Sequence, residues 1–223
     1  MIPGARLIII GRQGAGKGTQ CVRMSRHYVV PHISTGDMLR AAAREGTELG
    51  VAAKQVMDAG GLIGDDIMIG IVRDRLERDD ARTRGYILDG FPRTVFQAEA
   101  LDEITANRPL DAIVDLDVPR DLVLERISSR RVCRDCGTNY TATGKERVGQ
   151  PWICDVCGGD VVQRDDDTPD AVNRRLDLYE SQTAPLKAHY GDQGRLTVVN
   201  GVGHPDEVFA RLTAAIDAGR ARR

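Results

Sequence analysis

The stretch that decides the fold is Leu7-Ile8-Ile9-Ile10, then Gly11-Arg12-Gln13-Gly14-Ala15-Gly16-Lys17-Gly18-Thr19, then Gln20-Cys21-Val22-Arg23-Met24. A short aliphatic run feeds a glycine-rich turn, and the turn opens a helical pattern. Strand, glycine loop and helix in that order make a phosphate site out of a motif that would otherwise be a flexible turn with a solvated lysine. Gly11, Gly14 and Gly16 let the backbone turn tightly and aim several N–H groups inward, where the positive end of the helix reinforces them. The loop from Gly14 through Ala15, Gly16, Lys17 and Gly18 to Thr19 is the candidate cradle, and the Lys17 ammonium adds a point charge for the outermost phosphates. The usual phosphate-loop pattern G-x-x-x-x-G-K-[ST] is missed by one residue, because Gly18 follows the lysine and Thr19 comes next.

Outward from this loop, bulk properties narrow the options. The chain has 223 residues, a formal net charge of −2 and five cysteines. That length fits one large domain, or one domain with an insertion, with a real core. Acids and bases are interleaved, and the only basic run is the short tail 220–223, so no nucleic-acid footprint is expected. The aliphatic run at 7–10 is too short for a signal-peptide core or a membrane span. The expectation is a cytoplasmic monomer with no membrane or nucleic-acid partner, whose cysteines are thiols or metal ligands and not disulfides.

Strand and helix patterns alternate along most of the chain. Strands are expected at 6–10, 32–33, 86–88, 112–116 and 196–199. Helices are expected at 17–28, 38–45, 49–59, 65–78, 93–104, 119–129, 168–190 and 205–218. Ser34 or Thr35 would cap the second helix, Gly60-Gly61 would stop the third, and Thr168-Pro169-Asp170 combines a cap, a proline and a first-turn acid. Such alternation implies a five-stranded parallel sheet with helices on both faces. Between 130 and 167 the pattern stops, and this Gly-, Cys- and Asp-rich segment reads as an insertion without regular period.

Two cysteine pairs lie inside that insertion. Cys133-x-x-Cys136-Gly137 and Cys154-x-x-Cys157-Gly158 are spaced as in a two-knuckle zinc site. Each C-x-x-C-Gly turn lets backbone N–H groups reach the thiolates, and four cysteines close a tetrahedral shell, which makes the zinc structural. A redox dithiol would need one pair beside a βα unit, not two pairs in an insertion. Cys21 has no sequence partner and reads as a core thiol.

Four motifs in order resemble an adenylate kinase: Gly-x-x-Gly-Ala-Gly-Lys-Gly-Thr-Gln at 11–20, Ser-Thr-Gly-Asp-Met-Leu-Arg at 34–40, Asp-Gly-Phe-Pro-Arg-Thr-x-x-Gln at 89–97 and Arg-x-Asp-Asp at 164–167. The resemblance spans residues 7–204 and is to the long-lid, zinc-carrying type. Two departures stand out: Gln13 sits where the family usually has proline, and the family's Asn-Pro-Pro stretch is missing between Tyr140 and Trp152.

The resemblance implies a phosphate-loop core (1–33, 64–128 and 168–223), an AMP-binding arm (34–63) and a zinc-binding lid (129–167). It implies the reaction ATP + AMP = 2 ADP with Mg2+. The acceptor of such a reaction is already an anionic phosphate oxygen, so the chemistry needs alignment and positive charge and no general base. The chain has 27 arginines and four lysines, and planar guanidinium forks suit bidentate phosphate binding. By resemblance, Arg40 and Arg93 hold the acceptor phosphate, Arg130, Arg164 and Arg175 close over the donor phosphates, and Arg126 lies by the donor base near Gly203. Arg164 and Arg175 also reach the acceptor. Thr35, Ile63, Gly90 and Gln97 would line the AMP site, and Asp89 would order magnesium with help from Asp37. Rival readings are a kinase using GTP or another monophosphate, and a zinc-ribbon nucleic-acid module on a nucleotide switch. The second would require a basic, aromatic-bearing ribbon, whereas Tyr140 and Trp152 are the only aromatics between 133 and 167.

Overall fold

The computed structural model describes residues 4–143 and 151–221. Its main sheet holds β1 (Arg6–Ile10), β2 (His32–Ser34), β3 (Tyr86–Asp89), β4 (Ala112–Asp117) and β8 (Leu196–Asn200). The order is β2-β3-β1-β4-β8, and every pairing is parallel. The aliphatic strands are explained by burial on both faces. Leu7 and Ile9 of β1 join Val114 and Leu116 of β4 on one face, under α1 (Lys17–Tyr28) and α10 (Pro205–Arg220). Ile8 and Ile10, with Leu88 and Ile113, face the other way, against α4 (Asp65–Leu76), α6 (Val95–Ile104) and α9 (Ala184–Asp192). Successive residues of a strand point to opposite faces, so an unbroken apolar run is what two covered faces demand.

The arm expected at 34–63 is a pair of packed helices, α2 (Thr35–Arg44) and α3 (Glu48–Asp58). Ser34 is the cap of α2, accepting from the Asp37 backbone N–H at 3.3 Å, and Thr168 caps α8 (Pro169–Leu178) in the same way. A short α5 (Asp79–Arg84) follows α4, and α7 (Arg120–Ser129) leads into the insertion. The single helix expected at 168–190 is α8, a π-helical turn at Tyr179–Thr183, and α9.

The insertion is not without regular structure. β5 (Arg130–Cys133), β6 (Asn139–Thr141) and β7 (Val161–Val162) form a small antiparallel sheet with β5 in the middle. These strands are too short, and too interrupted by cysteine turns, to leave a periodic signal in sequence. Their apolar core is Cys133, Cys154 and Val161, with Tyr140 and Trp152 packed against it. Such a core cannot carry a segment of this size alone. The glycine-bearing stretch expected to be the protease-sensitive part of the insertion, 144–149, lies outside the described residues. No helix of the described residues is long and apolar enough to cross a membrane.

Candidate functional site

The loop after β1 stands at the carboxyl end of the parallel strands, where β1 lies between β3 and β4, the position at which open α/β sheets bind ligands. Gly14 has φ 79°, and a Cβ there would meet the Ile127 side chain at 2.6 Å. Gly16, at φ 98°, is the residue from which α1 starts. Lys17 folds back over the loop, donating from Nζ to the carbonyls of Gly11 at 2.7 Å and Arg12 at 2.9 Å. Burial holds its ammonium below the ordinary lysine value, against the opposing pull of Asp89. Gly18 is in the first turn of α1, Thr19 is exposed, and Ala15 is buried.

Asp89 ends β3 directly beside Ile9 of β1 and Ser34 of β2. Its carboxylate lies 3.3 Å from His32 Nε2 and 3.8 Å from where a Gly18 Cβ would sit. Burial pushes its carboxyl up, but His32 and Lys17 outweigh burial and hold it below the ordinary range. Asp37 is engaged elsewhere: its carboxylate accepts from Arg40 Nη2 at 2.5 Å.

Four of the six arginines singled out in the sequence, Arg40, Arg130, Arg164 and Arg175, converge on two buried aspartates. Asp166 accepts from Arg164 at 2.9 and 3.0 Å and from Arg175 Nη2 at 2.7 Å, and Arg40 Nη1 lies 3.8 Å from it. Although burial opposes it, this surrounding charge holds the Asp166 carboxyl well below the carboxylate range. Asp167 takes both arms of the Arg130 fork. Arg93 Nε donates to the Gly90 carbonyl at 2.8 Å, and burial, with Arg175 nearby, brings its guanidinium down to about 10. Burial and the Arg164 charge also lower Arg40, whereas Asp166 and Asp167 overcome burial and raise Arg164. Arg126 spans the loop to the far strand, donating to the carbonyls of Ala15 at 3.1 Å and Gly201 at 3.3 Å. Gly203 follows in that loop at φ 119°.

On the acceptor side, Thr35 Oγ1 donates to the Gly90 carbonyl at 3.1 Å. Gln97 is buried, not a solvated helix glutamine. Its Oε1 accepts from the Arg93 backbone N–H at 2.8 Å, and its Nε2 donates to Asp65 Oδ1 at 2.8 Å. Ile63 packs nearby against the buried face of the same core. Sequence reasoning missed the orienting residues: Asp65 for Gln97, Asp166 and Asp167 for the arginines, and Gln13, which donates to Asp167 Oδ1 at 3.1 Å and accepts from Arg175 Nη1 at 3.2 Å. Only the Arg-x-Asp-Asp motif signalled any of them.

The four insertion cysteines are reduced and bring all four Sγ atoms within 4.8 Å of one another. Cys133 and Cys157 Sγ are 3.4 Å apart, and Cys136 and Cys154 Sγ are 3.6 Å apart. Metal–sulfur bonds of about 2.3 Å in a tetrahedron put sulfurs roughly 3.8 Å apart, so the cluster is the size of a zinc shell. The two knuckles repeat one turn: Gly137 N–H donates to the Cys133 carbonyl at 3.1 Å and Gly158 N–H to the Cys154 carbonyl at 2.9 Å. The Tyr140 hydroxyl, aided by backbone N–H groups of Cys157 and Val156, brings the Cys154 thiol down to about 6. Despite a backbone N–H from Gly159, the neighbouring thiols of Cys136 and Cys133 hold Cys157 up to about 12. Negative charge crowded in this way is what a dication relieves.

The family model described as "Adenylate kinase" matches residues 9–195. The chain belongs to the adenylate kinase family. Curated adenylate kinases are similar along nearly their whole length. That of Syntrophobacter fumaroxidans is 46% identical over 212 residues, covering 94% of this chain and 99% of the relative. That of Methanosarcina barkeri is 47% identical over 214 residues, covering 94% and 97%. That of Clostridium kluyveri is 44% identical over 218 residues, covering 96% and 98%. Adenylate kinases are phosphotransferases, so the chain is read as an enzyme, and its cysteine cluster fits the zinc-containing long-lid type of the family.

Proposed function

We propose that the chain catalyses ATP + AMP = 2 ADP by direct in-line transfer. The observation that carries this reading is the gathering of Lys17, Arg40, Arg93, Arg130, Arg164 and Arg175 around one phosphate loop, with buried aspartates holding the guanidinium groups in place. An oxygen of the AMP phosphate forms a bond to the γ-phosphorus while the bond from that phosphorus to the β–γ bridging oxygen breaks, and ADP leaves. No proton need move, which agrees with a site whose only histidine, His32, is paired with Asp89. Fixed cations aimed at charge that spreads in the transition state supply the catalysis.

Arg40 and Arg93 hold the acceptor phosphate, with Arg93 also facing the transferred group. Arg130, Arg164 and Arg175 neutralise the donor phosphates, and Arg126 with the loop at Gly203 borders the donor base. Thr35, the Gly90 backbone and the Gln97 amide select adenine on the acceptor. The carboxylate of Asp89, held ionised beside the first turn of α1, suits a magnesium ion carried with the nucleotide, which would supply charge neutralisation to the phosphates. Cys133, Cys136, Cys154 and Cys157 would hold a zinc ion that cross-links the insertion.

Residues 129–167 act as a lid over the donor and 34–63 as an arm over the acceptor, on a core of 1–33, 64–128 and 168–223. Adenylate kinase lids are themselves a standard instance of closure that shuts water out of the reaction. Water would otherwise take the phosphoryl group. The protein works in the cytoplasm as a monomer on free nucleotides. A coupled assay over a panel of nucleoside mono- and triphosphates, with and without Mg2+, tests the reading. Fast turnover only with ATP, AMP and the metal is expected; equal turnover with GTP or UMP would assign a different nucleotide kinase.

A further inference from the structure

Cys21 lies outside the four-thiol cluster, on the second turn of α1, and is fully buried. Its sequence shows no partner, but the fold brings two to it. His32 from β2 and Asp89 from the end of β3 each place a ligand atom against it. Cys21 Sγ, a His32 ring nitrogen and an Asp89 carboxylate oxygen all lie within 4.8 Å of one another. We propose that Cys21, His32 and Asp89 form a second site for a thiophilic divalent cation such as Zn2+ or Cd2+, and that filling it inhibits phosphoryl transfer by withdrawing Asp89.

The geometry is close to what such an ion needs. Bonds of about 2.0–2.3 Å to sulfur, nitrogen and oxygen put ligand atoms roughly 3.3–3.8 Å apart in a tetrahedron. His32 Nε2 and Asp89 Oδ2 are already 3.3 Å apart, so the remaining contraction, up to about 1.3 Å, falls on the Cys21 side. The three ligands sit on a helix and two sheet strands, so no loop has to be ordered.

The donor set selects the metal. A thiolate with an imidazole and a carboxylate suits zinc or cadmium, whereas magnesium keeps to oxygen ligands and water. Binding releases the Cys21 proton to solvent. The thiolate and the Asp89 carboxylate then balance the two charges of the dication. The His32 and Asp89 side chains keep 16% and 12% of their exposure, while Cys21 beside them is fully buried. Three protein ligands leave the fourth position of the ion to water. The inhibitory half of the inference rests on the role proposed for Asp89; the binding half does not.

The test titrates Cd2+ into nucleotide-free protein carrying its lid zinc, for the wild type and for Cys21→Ser, which keeps the size of the side chain and loses the soft ligand. The readouts are the ultraviolet thiolate-to-cadmium absorbance, the cadmium and zinc retained per chain after desalting, and turnover. The wild type should retain one more cadmium per chain than the variant. The variant should bind that ion more than about 100-fold more weakly, beyond the loss of an outer-shell contact. Without cadmium the two proteins should turn over equally, and only the wild type should lose activity as the extra ion binds. Exchange at the lid cysteines releases zinc equally from both and so cancels. If the serine hydroxyl disturbs the core, Cys21→Ala serves the same comparison. Equal cadmium retention by wild type and variant overturns the site. Extra cadmium without inhibition overturns the inhibitory half, and with it the role assigned to Asp89.

Discussion

Replacing Asp166 by Asn removes one negative charge and keeps the shape. In the structure this carboxylate faces the Arg164 fork at 2.9 and 3.0 Å and Arg175 at 2.7 Å, with its own side chain only 6% exposed. Arg40, at 3.8 Å and more exposed, adds little. Breaking a buried pair by removing one partner costs about 3–5 kcal/mol, because a charge is left buried without compensation. The two main arginines are partly open to solvent, so the lower end, about 3 kcal/mol, applies here. With an unfolding entropy of about 2.1 cal/mol/K per residue, a chain of 223 residues should then melt roughly 6 °C lower.

The sign with pH follows from the direction of the shift. The folded-state value of Asp166 lies below its ordinary value of 3.8, so its contribution is complete above about pH 4 and is lost as pH falls further. Asp166→Asn should therefore lose stability at pH 7 and lose less than the wild type on acidification below pH 4. Ligand provides the decisive contrast. A bisubstrate polyphosphate brings its own anions to Arg164, Arg175 and Arg40, so it should raise the melting temperature of the variant by more degrees than that of the wild type. Calorimetry of both proteins, with and without the ligand, checks this. Equal melting temperatures in the absence of ligand, or equal gains on binding it, would refute the view that Asp166 serves as counter-ion to the phosphate-binding arginines.

Lys17→Met should abolish turnover by several orders of magnitude with the circular dichroism melt little changed, because the ammonium acts on charge that develops in transfer; near-normal turnover would sink the phosphate-loop assignment. Gln97→Ala should narrow the preference for AMP over CMP and UMP by roughly tenfold or more, since a site built to hydrogen-bond one base rejects others through unpaired polar groups. Asp65→Ala should do the same through loss of the 2.8 Å contact that orients Gln97, and unchanged acceptor ratios in both would reject the assignment. Elemental analysis should find one zinc per chain, and chelation should shift the emission of Trp152, the single tryptophan, at temperatures where the core dichroism is intact; one joint transition of core and insertion would contradict this. Gln13→Pro should speed opening of the insertion and raise the KM for ATP roughly tenfold or more with kcat changed less, because it removes amide contacts to charged groups worth about 1.5–3 kcal/mol each; stopped-flow Trp152 emission and steady-state kinetics check it, and an unaltered opening rate would refute it.

What could be read in the sequence, and what could not, follows from the range of the interactions. The five-stranded sheet was legible because its strands are buried on both faces and carry their signal locally, as in 7–10. The phosphate loop was legible because its glycines are demanded by backbone shape, and the four cysteines because metal geometry fixes their spacing. The insertion sheet was not, since Asn139–Thr141 and Val161–Val162 are pairings held by cysteine turns with hardly any apolar period. The π-helical turn at Tyr179–Thr183 left no mark either, as a residue that widens a helix keeps the composition of that helix. The motifs marked the cations that the structure brings together, and Arg-x-Asp-Asp marked Asp166 and Asp167, whereas the contacts of Gln13 and Asp65 left no sign. Gln13 meets Arg175 across a gap of 162 residues and Asp65 meets Gln97 across 32, distances over which sequence carries no pairing code.

Those unforeseen partners share one physical cause. A cavity suited to polyphosphates keeps several guanidinium groups close together when no phosphate is bound, and burial together with their mutual repulsion draws Arg93 and Arg40 below the ordinary arginine value. Asp166 and Asp167 answer that repulsion from within the same short segment, each taking a guanidinium in a two-pronged contact. Gln13 then ties the two pairs to the phosphate loop through charge-assisted hydrogen bonds, accepting from Arg175 and donating to Asp167. A proline at that position could do neither, having no side-chain amide. The phosphate loop of this chain is therefore tied directly to Arg175 and Asp167, and in the function proposed above phosphate would compete with Asp166 and Asp167 for the same forks. On the roles proposed above, binding must draw those forks away from the two aspartates, so the charge of Asp166 and Asp167, as well as the number of arginines, bears on how tightly the site holds nucleotide.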